Sequence, residues 1–276
     1  MISPVDEDQG KPANVKEASS AGGIADIVVR TYNSGSTLKR ALSSAMAMKG
    51  HGRVIVIDHM SVDNTEQICN ELGCEYYTEN TGLGYATILG IQKSGTPVIV
   101  FLDSDVEVLD REFILESVKL LENPKIGAVV GDTIGHPFSY GLPLGLTSFR
   151  RADLSRIVMP KEIAGRETYF IQKYMRDKHL KVKYVKNAKI HDSPARKNVH
   201  WPEWQGASVR IAGGFNLREL IYSYLVIFLM LLNSRNLKNI AYIPIFQAKF
   251  TRGFLSPESW RNFERKPSYT SGGGGL

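Results

Sequence analysis

The first half of the chain alternates apolar runs with amphipathic stretches. Ile27-Val28-Val29 leads into Thr31-Tyr32-Asn33, Val54-Ile55-Val56-Ile57 stops at Asp58, and Pro97-Val98-Ile99-Val100-Phe101-Leu102 stops at Asp103. A further strand is expected over residues 74–79. Between these runs, Leu38, Ala41, Leu42 and Ala45 recur at helical spacing, with residues 34–36 as a cap. Asp63 with Glu66 three residues on predicts a capping box, and Gly73 a helix stop. Residues 84–94 and 111–121 read as helices and 126–132 as a strand. Near-continuous apolar strands separated by helices predict a mostly parallel sheet covered on both faces. Ligands of such sheets bind beyond the carboxyl ends of the strands, where Asn33, Asp58 and Asp103 fall.

The alternation weakens after Asp132. Residues 136–146 are rich in Gly and Pro and read as loop, and residues 168–175 as helix. Residues 181–189 alternate Lys with apolar positions, as an edge strand does. An apolar run of 13 residues, 220–232, is interrupted only by Ser223, and a shorter cluster, 240–246, contains Pro244. A 13-residue helix is about 20 Å long, short of the roughly 20 residues a bilayer span needs. Residues 1–24 are polar and small and read as a disordered lead-in. Residues 25–200 read as one α/β domain, 201–266 as a helical region at a membrane interface, and 267–276 as a Gly-rich tail.

Charge sharpens this division. The 276 residues carry a net charge of +6, but residues 150–266 hold 23 basic and 9 acidic residues while the remainder holds 11 and 19. A basic half beside an acidic half points to an anionic partner surface. The basic half contains no recognisable nucleic-acid module, so nucleic acid is excluded as a partner. Lys238, Lys249 and Arg252 flank the apolar clusters, with Tyr222, Tyr224 and Tyr242 close by, the pattern of helices lying in a membrane interface. Two cysteines, Cys69 and Cys74, are too few for a disulfide framework and read as reduced thiols.

The strand ends carry the candidate chemistry. Asp103-Ser104-Asp105 sets two carboxylates at i and i+2, able to hold a hard divalent cation beside a diphosphate. Asp58 is a candidate acceptor for the N–H groups of a nucleobase, and Thr31-Tyr32-Asn33 offer an aromatic face and an amide to the same base. Asp63 reads as a cap.

Val28-Val29-Arg30-Thr31-Tyr32-Asn33, Ile57-Asp58 with Ser61 and Asp63-Asn64-Thr65, and Phe101-Leu102-Asp103-Ser104-Asp105 occur in that order. Together they resemble the family 2 glycosyltransferases of GT-A fold over roughly residues 25–195. The resemblance implies a Rossmann-like α/β domain with a mostly parallel sheet and helices on both faces, followed here by C-terminal amphipathic interface helices. It implies nucleotide-sugar binding by Thr31, Tyr32, Asn33, Asp58, Gly82, Asp103, Ser104 and Asp105, and a Mg²⁺ or Mn²⁺ ion held by Asp105 and His191. Gly165-Arg166-Glu167-Thr168-Tyr169-Phe170 resembles the family's G-E-D-x-x-L segment, which makes Glu167 the catalytic base of an inverting displacement. The chain departs from the family at His59, which replaces a second Asp. It also lacks a basic residue beside Thr81-Gly82-Leu83-Gly84 and a clean Q-x-x-R-W motif, for which Trp204-Gln205-Gly206-Ala207-Ser208-Val209-Arg210 is a degenerate counterpart.

The layout is similar to polyprenyl-phosphate glycosyltransferases and to archaeal membrane-associated mannosyltransferases with a reduced cellulose-synthase-like arrangement. That similarity implies GDP-mannose as the favoured donor, a lipid-linked acceptor, protein glycosylation and a place on the cytoplasmic face of a membrane. A UDP-sugar donor with another acceptor and a non-catalytic nucleotide-binding membrane scaffold are the alternatives. A nucleotidyltransferase needs basic residues at the first turn, where Asn33-Ser34-Gly35-Ser36 stand instead.

Overall fold

A computed structural model of the chain describes residues 23–133, 142–161, 167–191, 201–233 and 237–260. The expected lead-in and tail therefore lie outside the described residues, as does most of the Gly/Pro loop.

Eight strands form one sheet in the order β3-β2-β1-β4-β7-β6-β8-β5. They are β1 (Ala25–Thr31), β2 (His51–Asp58), β3 (Glu75–Thr78), β4 (Val98–Asp103), β5 (Val106–Val108), β6 (Ile126–Thr133), β7 (Leu146–Arg150) and β8 (Lys181–His191). β3, β2, β1 and β4 run parallel, and β6 is parallel to β8; β7 enters antiparallel between β4 and β6, and β5 pairs antiparallel with β8. The expected α/β fold with a mostly parallel sheet is observed.

Strand parity sorts the core into two faces, because successive side chains point to opposite sides. Ile27 and Val29, Val54 and Val56, and Val100 and Leu102 pack on one face with Leu38, Leu42, Ile68 and Phe113. These partners come from α1 (Leu38–Met46), α2 (Thr65–Leu72) and α4 (Phe113–Leu121). Val28, Ile55, Ile57, Ile99 and Phe101 pack on the other face with Ala86, Leu154, Ile171 and Met175. Those come from α3 (Leu83–Lys93), α5 (Arg151–Leu154) and α6 (Glu167–Asp177). Each fully buried Val, Ile, Leu or Phe contributes roughly 1.5–3 kcal/mol, so both helical layers are held by this alternation.

The C-terminal region is helical: α7 (Trp201–Gly213), α8 (Leu217–Asn233) and α9 (Leu237–Leu255), closed by a 3-10 turn at Pro257–Trp260. Ile211 and Ala212 of α7 pack against the second core. α7 and α9 approach closely at two glycines. A Cβ on Gly206 would lie 1.9 Å from the Phe250 carbonyl oxygen, and one on Gly253 would lie 1.9 Å from that of Glu203. Only hydrogen fits at either position. Val209, Phe246, Phe250 and Phe254 fill the space beside this contact.

Three local expectations are corrected. β8 is an interior strand, and the short β5 takes the edge, because a three-residue segment after Asp105 folds back onto residues 189–191. The capping box does not form. Asn64 is the cap of α2, while Asp63 bonds the Thr65 N–H at 3.0 Å and the Gly35 N–H at 2.8 Å, tying α2 to the first loop. The cap of α1 is Thr37, with no side-chain cap bond, and the Ser34 carbonyl receives the Thr37 and Leu38 N–H groups instead. The last helix, α9, runs 19 residues with Pro244 inside it. Gly73 stops α2 as expected, at φ 70°. Both thiols are free, and burial pushes Cys74 up to about 12 and Cys69 higher still, so neither is reactive near neutral pH.

Candidate active site at the strand ends

The register of the central strands brings the expected residues together. Thr31 lies opposite Asp58 across β1 and β2, and Arg30 lies opposite Asp103 across β1 and β4. Parity then separates them. Asp58 continues the Val54-Val56 series toward α2. Arg30 continues Val28, and Asp103 continues Ile99 and Phe101, toward α3 and α6.

On the α2 face, Asp58 has no exposed surface. Its carboxylate accepts from the Ser61 N–H at 2.7 Å, the Ser61 hydroxyl at 2.5 Å and the Tyr76 hydroxyl at 2.9 Å. Burial pushes its carboxyl above the usual range, and the Ser61 and Tyr76 bonds only partly offset this. In the free protein Asp58 thus shapes the turn that follows β2. A carboxylate has about four lone-pair sites, so a base would meet the one left over. Asn33, at φ 47°, joins the same turn: its N–H bonds Ser61 Oγ at 2.7 Å and its Oδ1 accepts the Val62 N–H at 2.9 Å. The Thr31 hydroxyl is buried without a hydrogen-bond partner among the described residues.

Tyr32 meets the edge of His59 at 5.4 Å between ring centres. His59 Nδ1 lies 2.6 Å from Glu79, whose other oxygen accepts the Thr81 and Gly82 N–H groups at 2.7 and 2.8 Å. Gly82 opens α3 at φ 137°, a conformation that favours glycine. The departure at His59 is therefore compensated: it carries the link from Tyr32 to the Gly82 turn through a buried glutamate. Ser104 is tied to the first loop, its hydroxyl 2.8 Å from that of Ser34 and its carbonyl accepting from Thr37 at 2.9 Å.

On the α6 face, Arg30 is the centre. It is almost wholly buried, and its Nη1 donates to Glu167 Oε1 at 2.6 Å and to the Thr87 hydroxyl at 3.2 Å. Its Nη2 reaches Asp103 Oδ1 at 3.3 Å. Desolvation pushes the guanidinium's pKa down, but the Glu167 and Asp103 carboxylates outweigh it and the net shift is upward. Glu167 is itself buried at the start of α6.

A second buried cation faces the same carboxylates. Lys189 is 3% exposed. β6 and β8 pair Gly131 with Val185 and then Thr133 with Lys189, so four steps along β8 match two along β6. Asn187, at φ 56°, absorbs the excess as a bulge. The bulge turns Lys189 inward. Burial pushes its pKa down, opposed by Asp103, Asp132 and Asp105. A Cβ on Gly145 would touch both Asp103 Oδ2, at 3.0 Å, and Lys189 Nζ, at 3.1 Å, so the two groups converge there.

Two internal cations therefore bear on Asp103, and one of them, Lys189, also feels Asp105. No group of three or more His, Cys, Asp or Glu side chains forms a metal cage among the described residues. The donor set still fits Mg²⁺ or Mn²⁺, since such ions commonly use one or two carboxylates and complete their shell with substrate phosphates. Pairing of β5 with β8 sets His191 opposite Val106, the residue after Asp105. Trp204-Gln205-Gly206 and the residues up to Arg210 lie in α7, where Gly206 and Val209 meet α9.

Reasoning from the sequence missed Arg30, Lys189, Glu79 and Tyr76. Arg30 carries a signal, a charge inside an apolar strand with Val28 parity. Lys189 carries none, because the bulge that turns it inward is a matter of pairing.

The chain is similar to known proteins in sequence and in fold. A protein-family model described as "Glycosyl transferase family 2" matches residues 26–187. A curated relative, 4,4'-diaponeurosporenoate glycosyltransferase of Staphylococcus haemolyticus, is 30% identical over 100 residues, 33% of this chain and 26% of that protein. The chain thus spans about a quarter of the length of that relative. Among solved structures, a mannosyltransferase from Pyrobaculum calidifontis in complex with GDP-Man and Mn2+ superposes with a TM-score of 0.60 at 15% identity, covering 86% of this chain and 75% of its own. Glucosyl-3-phosphoglycerate synthase from Mycobacterium tuberculosis, in complex with Mn2+, UDP and glucosyl-3-phosphoglycerate, superposes at 0.55 and 19% identity, covering 72% and 83%. At these identities the superpositions speak for the fold, which is the expected GT-A fold. With the family model matching more than half of its length and that fold around it, the chain belongs to glycosyl transferase family 2.

Proposed function

We propose that the chain is an inverting, metal-dependent glycosyltransferase that moves a sugar from a nucleoside diphosphate donor to a lipid-linked acceptor at a membrane surface. GDP-mannose is the favoured donor. The observation that carries this reading is the Arg30 bridge: one guanidinium touches both Asp103, beside the donor, and Glu167, the acceptor's base. A single displacement needs these two groups on either side of one reacting carbon.

In this reading Tyr32, Asn33 and the Asp58 turn bind the base, and Asp103 and Ser104 hold the ribose and sugar. Asp105 and His191 would hold a divalent ion, which would supply Lewis-acid stabilisation of the charge on a leaving diphosphate. Glu167 keeps Oε1 on Arg30 and offers Oε2 to the acceptor hydroxyl, whose proton it takes as the sugar transfers. A scaffold that only bound nucleotide would not need a buried ion pair at that position.

The membrane part rests on α8. Leu217, Ile221, Leu225 and Phe228 form an exposed stripe along it, 41–60% accessible, although its other side already packs on α9 through Tyr224. A helix apolar on both sides has a second apolar surroundings. Among the described residues no helix is long and apolar enough to cross a membrane, so the fitting mode is in-plane contact. The basic excess of residues 150–266 suits anionic lipid of the cytoplasmic leaflet.

The test is a thermal-shift screen of nucleoside diphosphate sugars with Mg²⁺ and Mn²⁺, followed by release of nucleoside diphosphate with the stabilising donor. GDP-mannose is expected to give the largest shift, since ligand binding stabilises by mass action. A larger shift with a UDP-sugar would favour the uridine alternative. Glu167→Gln is expected to leave donor binding within about twofold and to slow transfer at least about 10²-fold, the usual range for a lost general base. Turnover near that of the unaltered protein would remove Glu167 from the mechanism.

A further inference from the structure

We propose that Arg30 is a positioning residue: it fixes the acceptor base to the donor carboxylate and so sets the distance over which the sugar is transferred. The inference rests on the glycosyltransferase reading above and gives the Arg30 bridge a role of its own within it.

The local physics argues for more than charge balance. Arg30 sits where β1 leaves its apolar run, and strand parity sends its side chain across the second core, over the face of Phe101 at 5.6 Å. There it is desolvated, and a desolvated guanidinium is retained only where carboxylates meet it with good geometry. It meets three elements at once: β4 through Asp103, α3 through Thr87 and α6 through Glu167. The two carboxylate bonds use different nitrogens, so the planar fork dictates the relative placement of Asp103 and Glu167. A lysine would supply the same charge as a point, without that angle. The Arg30 Nε is buried without a hydrogen-bond partner among the described residues.

The placement also has a consequence for α6. Glu167 is the first residue of that helix, and the Arg30 contact is the ion pair that ties it to the sheet. Where Glu167 stands relative to the donor therefore depends on Arg30 as well as on apolar contacts further along α6, at Ile171 and Met175. Distance errors of about 1 Å at a reacting centre can cost on the order of 10²-fold in rate. A clamp on the base is thus felt in turnover more than in binding.

The experiment compares the full chain with Arg30→Lys and Arg30→Met in two arms. The first arm needs no substrate: hydrogen exchange of the backbone over residues 167–177. Faster exchange at residues 171–173, whose N–H groups bond the carbonyls of 167–169, is expected in both variants, with 174–177 little changed. Exchange at 171–173 equal to that of the unaltered protein in Arg30→Lys would overturn the positioning role. The second arm is kinetic, run with the donor that the thermal-shift screen selects. Arg30→Lys is expected to keep KM for donor within about threefold and to lower kcat by about 10- to 100-fold. A kcat within twofold of the unaltered enzyme would overturn the proposal, as would a loss explained entirely by a matching fall in folded fraction. If Arg30→Met fails to fold, Arg30→Lys alone decides. If the unaltered protein transfers no sugar from any donor, the glycosyltransferase reading fails, and the exchange arm still reports whether Arg30 holds Glu167.

Discussion

Asp26, at the opposite end of β1 from the site, is a carboxylate whose work is structural. Its side chain accepts from the Arg53 backbone N–H at 3.0 Å, from Arg53 Nη2 at 2.8 Å and from the Gly95 N–H at 2.7 Å. Burial pushes its pKa up, but these donors and the Arg53 charge outweigh burial, so its folded value is lowered. A depressed carboxylate contributes stability that is present above its unfolded pKa and lost as pH falls through the folded value. Asp26→Asn is therefore expected to cost about 2–4 kcal/mol at pH 7, on the scale of hydrogen bonds to a charged group. The cost should shrink from about pH 4 downward, measured by urea unfolding at several pH values. A cost that does not change between pH 7 and pH 3 would contradict this account. Lys189 makes the opposite kind of prediction. A unit charge about 5 Å away at an effective dielectric near 20 is worth roughly 3 kcal/mol. Removing this buried cation from beside Asp103 and Asp105 should therefore tighten divalent binding. Lys189→Met is expected to bind Mn²⁺ about tenfold more tightly or better, by titration calorimetry; unchanged or weaker binding would mean that Lys189 does not bear on the ion.

Among the elements, the α7–α9 pair is the most sharply specified. Glycine at 206 and 253 lets two backbones touch, and the neighbouring phenylalanines complete the packing. Gly206→Val would drive a side chain into the Phe250 carbonyl, with no flexible neighbour to give way. Overpacking of this kind costs about 1–3 kcal/mol, and backbone separation adds to it. A drop of at least that size is expected in urea unfolding, and a change under about 0.5 kcal/mol would mean that the two helices do not approach as closely as described. The β8 bulge belongs to this scale too. Lys181, Val182 and Lys183 keep the alternation that the sequence displays, and the bulge at Asn187 then changes which side chains face the site.

At the scale of the whole molecule, the charge division and the apolar stripe meet in one prediction. Leu225 is exposed on α8 and bears no load in the core, so Leu225→Glu should fold normally. It is expected to weaken binding to anionic vesicles about tenfold or more, in a co-sedimentation assay, because a charge replaces apolar area at the lipid boundary. Raising salt from 0.1 to 0.5 M should weaken the unaltered protein as well, through screening of its basic half. Vesicle binding that survives both changes would remove α8 from the membrane contact. Donor binding should be indifferent to Leu225→Glu, since the residues proposed to hold the nucleotide lie at the ends of β1, β2 and β4.

The sequence determined by itself whatever depends on local order. Apolar runs closed by Thr31, Asp58 and Asp103 fix the strands and their carboxyl ends, and parallel pairing then brings those ends to one edge. Parity alone allots Val28 and Val29 to opposite cores. The tertiary structure decided what depends on partners distant in the chain. Glu167 stands 137 residues from Arg30, and no pattern within either segment encodes their contact. The edge position of β5, the inward turn of Lys189 and the continuation of α9 through Pro244 also follow from pairing and packing. Asp58 shows both sides: its place at a strand end is legible, while the turn that occupies its carboxylate exists only once Ser61 and Tyr76 have folded against it. Local spacing specifies which residues can reach an edge. Burial and long-range ion pairing specify which of them face one another.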